Sequence, residues 1–587
     1  MTGAGARAVS VRLRDGVGTI VGAVERFFHP NYAGLVVATV FFAWSLTPSL
    51  LPRDWLFEGL VSGINAAIGY GVGCVLEWVY RRWIRPSVHL PAAVTHVLEK
   101  QPNWLPGAVK VAIVVACVLV AVQMLVQSAR WQREITALMG MDPITTSGFL
   151  RTGALSALVG AIAIGAFRGV RWLVRWVATE LTKWVRIPRR AALPVGFVLV
   201  AFAAILLFNG VLSKAFFNVA NSAFSVRNGH TSPNAVQPQG PERSGSPASL
   251  AAWETLGSEG RWFVSYGPDA ATISQITGKP AREPIRVYTG LESADGPQAQ
   301  AELAVAELER TGAFDRKVIV VVTTTGTGWV DSTSAESVEM MYGGDTAIVA
   351  SQYSYLPSVL SFLSDKEKAT QAGKLVFDKV YEHWSARPVD ARPKLLVYGE
   401  SLGSQGSEGA FTGLADIRAR ADGVLWVGPP NSNRLWSELT TRRDPGAPEI
   451  LPTYADGLVV RFANDRGDLA KPSDTWLSPR IAYLQHASDP VIWWTPDLLF
   501  TEPDWLREPR GPDVSATMAW YPIVTFWQVA ADLPNAQGVT DGHGHRYGTL
   551  VLDGWAAIAQ PPGWSAELSD RIRNYLELSA IRERQLK

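Results

Sequence analysis

The sequence predicts two folding units of different class: an N-terminal all-α transmembrane bundle, followed by an α/β domain whose mostly parallel sheet carries helices on both faces. Three observations carry this. The chain has 587 residues, too many for one small module. Only 18% of residues are charged, against about 25% in ordinary soluble domains, and the shortfall falls within the first 214 residues. Beyond residue 250, short apolar β-type runs alternate with helical patterns.

Five N-terminal stretches, near 33–51, 58–80, 107–128, 152–168 and 191–213, have the roughly 20 apolar residues needed to cross hydrocarbon. Runs such as "VAIVVACVLVAVQMLVQS" carry no charge, which excludes buried helices of a water-soluble protein. The fourth is the weakest, because Arg168, Arg171 and Arg175 follow it closely. Lys and Arg mark the cytoplasmic side. They collect at Arg7, Arg12, Arg14 and Arg26, then at Arg81, Arg82, Arg85 and Lys100, then at Arg171, Arg175, Lys183, Arg186, Arg189 and Arg190. The intervening loops offer only Arg53, and Arg130, Arg133 and Arg151. A multi-pass plasma-membrane protein is expected, with a cytoplasmic N-terminus and everything after residue 214 outside. The spans hold almost no Asp, Glu or Lys, which disfavours a transporter. "GINAAIGYGVG" reads as a face for close helix packing.

The stretch "VRNGHTSPNAVQPQGPERSGSPAS" is rich in Pro, Gly and Ser and reads as a tether. The expected organisation is a transmembrane domain over 1–221, a flexible linker over 222–250 and an α/β domain over 251–587. Strands are expected at 284–291, 317–325, 346–354, 394–401, 423–428, 458–464 and 480–488, with helices through "AQAELAVAELERTG" and near 365–386.

The strand "KLLVYGES" runs into Gly399-Glu400-Ser401-Leu402-Gly403 and then into helix formers. This is G-x-S-x-G in a strand-to-helix turn, where glycines permit the strained backbone that presents a nucleophilic serine. A serine needs a general base, itself oriented by an acid. "YLQHASDPV" places Asp489 past a late strand, and "DGHGHRYG" supplies His543 and His545. The order Ser, Asp, His is that of an α/β-hydrolase. One histidine is expected to reach Ser401; His545 is favoured, because His543 lies between glycines and shapes the loop. His486 is expected to sit behind the site. Oxyanion donors are expected from the Leu402 amide and from "TTTGTGWVD", with Thr325 and Gly326 nearest the strand end. Neither G-x-x-x-x-G-K-[ST] nor G-x-G-x-x-G occurs, so nucleotide binding is not supported, and a net charge of +1 excludes a field that holds nucleic acid. No cofactor or metal is expected: Cys74 and Cys117 both lie in the apolar N-terminal third, leaving no thiolate for a zinc site in the α/β domain.

Together, "SLTPSLLPRDW", "TTTGTGWVD", "YGESLGS", "QHASDPV" and "DGHGHRYG" resemble the bacterial, actinobacterial-type membrane-anchored α/β-hydrolase family with a hydrophobic N-terminal domain of its own. The resemblance covers nearly the whole chain and implies a triad of Ser401, Asp489 and one of the two histidines. It brings no substrate. The aromatic insert between Asp489 and His543, with Trp493, Trp494, Phe500, Trp505, Trp520, Tyr521, Phe526 and Trp527, reads either as a membrane-facing or acyl-binding cap or as core packing under a long loop. The expected activity is a serine esterase or lipase acting on an ester or lipid-linked acyl group at the outer face. The alternatives are an acyltransferase with the same triad and a non-catalytic envelope scaffold. Oligomeric state is not legible.

Overall fold

The computed structural model describes residues 31–87, 105–142, 148–185 and 188–587 of the 587-residue chain. Arg7, Arg12, Arg14, Arg26, Lys100 and Arg186 lie outside the described residues. The chain forms two compact units. One takes residues up to Ala204 together with Pro496–Glu502 and Ser515–Asp532; the other takes Ile205–Thr495, Pro503–Val514 and Leu533–Lys587.

The first unit is helical: α1 (Tyr32–Ser45), α2 (Trp55–Val79), α3 (Leu105–Leu138), α4 (Gly148–Trp184) and α5 (Arg189–Ile205). Among the described residues, four helical runs are long and apolar enough to cross a membrane: Trp55–Ser87, Gly107–Leu138, Gly148–Trp184 and Ala191–Gly229. The fifth expected span, near 33–51, is corrected. Helix α1 has 14 residues, about 21 Å against about 30 Å of hydrocarbon. It stops at Ser45 because Pro48 and Pro52 follow.

The glycines of α2 bring backbones together as expected. A Cβ on Gly63 would lie 2.6 Å from Val159 of α4, and one on Gly73 would lie 2.6 Å from the Ala33 carbonyl of α1. Between α1 and α2, residues 46–53 are non-helical and buried, and α6 (Val524–Asp532) packs on them. Gln528 Nε2 donates to the carbonyls of Trp44, Ser45 and Thr47 at 3.1–3.2 Å. The Asp532 carboxylate accepts from Ser49 and pairs with Arg53 Nε at 3.1 Å. Most of "SLTPSLLPRDW" is thus a non-helical segment, several of whose backbone polar groups are satisfied by one helix of the later insert, while the Arg53 amide donates to Gln132 of α3 at 2.8 Å.

In the second unit, seven parallel strands run in the order β1-β3-β2-β4-β5-β7-β6: β1 (Ile285–Thr289), β2 (Val318–Thr323), β3 (Thr346–Ser351), β4 (Lys394–Glu400), β5 (Gly423–Val427), β6 (Val460–Ala463) and β7 (Arg480–Leu484). All but the first residues of β4 and β7 are buried, as expected of a sheet covered on both faces. The winding reverses between β2 and β4: β3 lies on one side of β2, and β4 and β5 on the other. A crevice at the carboxyl ends of the strands is expected at such a switch point.

The expected flexible linker 222–250 is also corrected. Its first residues belong to the helix Ser213–Gly229, whose terminal carbonyls accept from Arg261 at 2.9–3.0 Å. Arg243 is buried and donates to the carbonyls of Val264 and Tyr266 at 3.0 Å, while Ser244 Oγ donates to Glu307 at 2.7 Å. Composition predicted a tether because the segment has little apolar surface; it is held instead by hydrogen bonds.

Candidate active site

Ser401 ends β4 and precedes the helix Leu402–Glu408. Its φ of 53° and ψ of −127° are a conformation that L-residues with a Cβ rarely adopt, stabilised by the turn around it. Both glycines of the motif are required by contact: a Cβ on Gly399 would lie 2.5 Å from the Gly403 carbonyl, and one on Gly403 would lie 2.3 Å from the Thr323 carbonyl of β2. The helix therefore starts directly against the end of β2, at the switch point. As the first residue of the helix, Leu402 has an amide with no intrahelical acceptor.

Asp489 lies beyond β7, wholly buried, with Oδ2 2.7 Å from His545 Nδ1. A carboxylate oxygen accepts only, so the proton resides on Nδ1 and the lone pair on Nε2. The buried His545 Nε2 has no hydrogen-bond partner among the described residues. Ser401 N–H donates to the Val427 carbonyl at 2.8 Å, and a Cβ on the next residue, Gly428, would lie 2.3 Å from His545 Cε1. Serine turn and imidazole thus meet at the tip of β5. Burial pulls the His545 pKa down, but Asp489 at hydrogen-bonding distance outweighs it, with help from Glu400, and the net shift is upward.

His543 is held elsewhere. Gly544, at φ 52°, turns the chain between the two histidines, and His543 Nδ1 faces Asp513 Oδ2 at 3.2 Å. The loop is clamped from the strand side: His486 Nδ1 donates to the Gly544 carbonyl at 2.8 Å, and Gly544 N–H donates to Ser488 Oγ at 2.8 Å. Tyr547 O–H donates to Asp489 Oδ2 at 2.7 Å, completing the acid's setting. "QHASDPV" and "DGHGHRYG" are therefore two halves of one clasp. Sequence reasoning missed Ser488, Asp513 and Tyr547. Ser488 and Tyr547 lie inside the two motifs, which is their only signal, and Asp513 has no local signal.

The expected oxyanion turn follows β2, but Thr325 is corrected as an amide donor: its N–H is spent on the Trp329 carbonyl at 3.1 Å. Gly326 is tightly packed, with a Cβ there 2.4 Å from the Leu356 carbonyl. The aromatic insert divides between the two units. Trp493 and Trp505 are buried against each other, with ring centroids 5.6 Å apart, whereas Tyr521 stacks on Trp44 at 5.0 Å. Packing thus accounts for several of these rings.

A buried Asp–His pair beside a strained strand-to-helix serine, on a doubly wound parallel sheet, defines an α/β-hydrolase-type protein. Residues 285–572 match the model described as Alpha/beta-hydrolase family, and residues 46–268 match that described as Alpha/beta-hydrolase family N-terminus. The chain belongs to this alpha/beta-hydrolase family, which supports a hydrolase-type function. No curated protein and no solved structure matches it.

Proposed function

We propose that the protein is a membrane-embedded serine hydrolase that forms an acyl-enzyme at Ser401. His545 is the general base, Asp489 orients it and stabilises the imidazolium, and the Leu402 amide is one oxyanion donor, with Gly326 the candidate for the second. The observation that carries this reading is the 2.7 Å Asp489–His545 contact, with Nε2, unpartnered among the described residues, beside the serine turn.

The substrate is an ester or lipid-linked acyl group at the outer face of the plasma membrane. The packing of the helices supports this orientation. Gly59 and Gly63 of α2 meet Leu155 and Val159 of α4, so these helices run parallel, and their Arg-rich ends, with Arg81, Arg82, Arg85, Arg171 and Arg175, fall on one side. That side is cytoplasmic by charge. The other end, where residues 46–53 meet α6, is then the outer one.

The test is fluorophosphonate labelling of the full-length protein, wild type beside Ser401→Ala. Labelling that depends on Ser401 is the expected result; equal labelling of the variant overturns the assignment. A reporter active only outside the membrane, fused after Lys587, is expected to be active.

A further inference from the structure

A cavity of about 460 Å³ opens beside the base, lined by His545, Tyr547, Glu400, Asp331, Thr333 and Trp329. His545 lines it with an imidazole that is 5% exposed and whose Nε2 has no hydrogen-bond partner among the described residues, and Glu400, at 7% exposure, is likewise buried at its wall. The Glu400 carboxyl accepts from Tyr398 O–H at 2.9 Å, and Asp331 accepts from the amides of Thr333 and Ser334 at 3.2 and 3.0 Å. Burial, and for Asp331 the neighbouring Glu400, push both carboxyls above the ordinary carboxylate range.

We infer that this cavity receives the alcohol half of the ester, and that this half is a neutral, polyhydroxylated group of sugar or glycerol type. The inference rests on the acyl-enzyme reading above. Its first ground is position. When Ser401 Oγ bonds to the acyl carbon, its proton passes to His545 Nε2. As the acyl carbon–oxygen bond breaks, the departing oxygen keeps the bonding electron pair and takes that proton. Water then adds by the same route, releasing the acid and restoring the serine. The departing alcohol must therefore lie against His545, and this cavity does.

The second ground is the chemistry of the lining. A simple alkyl alcohol would cover the buried Glu400 and half-buried Asp331 carboxyls without giving them new partners, a cost that hydroxyl groups remove. An anionic head group would meet Glu400 and Asp331 beside the base. Three cations line the cavity, Arg546, Arg584 and Lys587, and two of them already hold carboxylates: Arg546 pairs with Asp541 at 2.6 Å, and Lys587 pairs with Glu583 at 3.3 Å and Glu259 at 3.1 Å. Trp329 adds an aromatic ring to the lining, a surface suited to the C–H side of a polyol.

The experiment compares kcat/KM for 6-O-butyrylglucose and ethyl butyrate on the full-length protein in detergent, with fluorophosphonate labelling alongside. Wild type is expected to favour the glucose ester at least tenfold. Glu400→Gln and, away from the triad, Trp329→Leu are each expected to cut that preference at least tenfold. A wild-type preference near one, or variants in which both esters fall in parallel, overturns the polyol subsite while leaving the hydrolase reading intact. Absence of labelling together with absence of turnover of either ester by folded wild type overturns both.

Discussion

The two units differ most in what they expose. In the helical unit Ser45, Ser49, Arg53, Glu58, Asn65, Gln132 and Asp532 are buried beside Leu46, Leu50, Leu51 and Val61, while Leu119, Phe197, Val198 and Phe202 stand 58–64% exposed around them. In the α/β unit, Val, Ile, Leu, Tyr and Trp fill the strands' surroundings, with Trp426, Trp436, Trp493 and Trp555 fully covered. The difference follows from the solvent each unit faces. Hydrocarbon removes the hydrophobic drive between helices and leaves small residues and hydrogen bonds to join them, whereas water drives apolar strands together. Four long apolar helices fit a membrane protein on the same ground.

The comparison also separates two kinds of buried charge. The largest expected effect is at the proposed nucleophile: Ser401→Ala is expected to lower ester turnover by roughly 10³-fold or more while the fold persists, checked by kinetics and thermal unfolding. Arg53→Ala tests the other kind. It leaves Asp532 buried without its cation, burial having already pushed that carboxyl up to about 6, and costs about 3–5 kcal/mol, read as a fall in the unfolding temperature of the detergent-solubilised protein. Equal stability would mean that the helical unit does not depend on its polar interior.

Next in size is the proposed base. His545 must be neutral to accept a proton, and its pKa is raised, so kcat/KM is expected to climb with pH through a midpoint above the ordinary 6.5. Asp489→Asn removes the group that raises it, so the midpoint falls along with the rate; an unmoved midpoint in a pH–rate profile breaks the pairing.

Glu336 is a buried carboxyl of the α/β unit, and burial pushes it up to about 8. Because the folded value lies above the unfolded 4.5, its contribution to stability is complete below 4.5 and is lost as pH rises through about 8. Thermal unfolding across pH 5–9 is expected to show that decline, and Glu336→Gln to flatten it. The smallest effect is at the serine's backbone: Ser401→Gly relieves the positive φ and is expected to be about 1 kcal/mol more stable than Ser401→Ala.

How much of this was legible varied by element. Strands such as "KVIVVV" and "KLLVY" were readable because a sheet buried on both faces leaves continuous apolar runs. The nucleophile turn was readable because its glycines are forced by local contacts. Helix α1 was overestimated in length because a hydropathy window sums across Pro48 and Pro52, and the segment around Arg243 was misread because hydrogen-bonded packing leaves no compositional trace.

By itself the sequence determined the fold class, the polar-poor helices, the serine turn and the chain order of acid and base, since each depends on residues that are neighbours along the chain. Only the tertiary structure decided that His545 rather than His543 meets Asp489, that Thr325 spends its amide on Trp329, that Asp513 holds His543, and that Gln528 and Asp532 seal "SLTPSLLPRDW". Those pairings join residues 4 to about 480 positions apart. They are fixed by which loops the strand order and the helix packing bring to the same end, which no local pattern encodes.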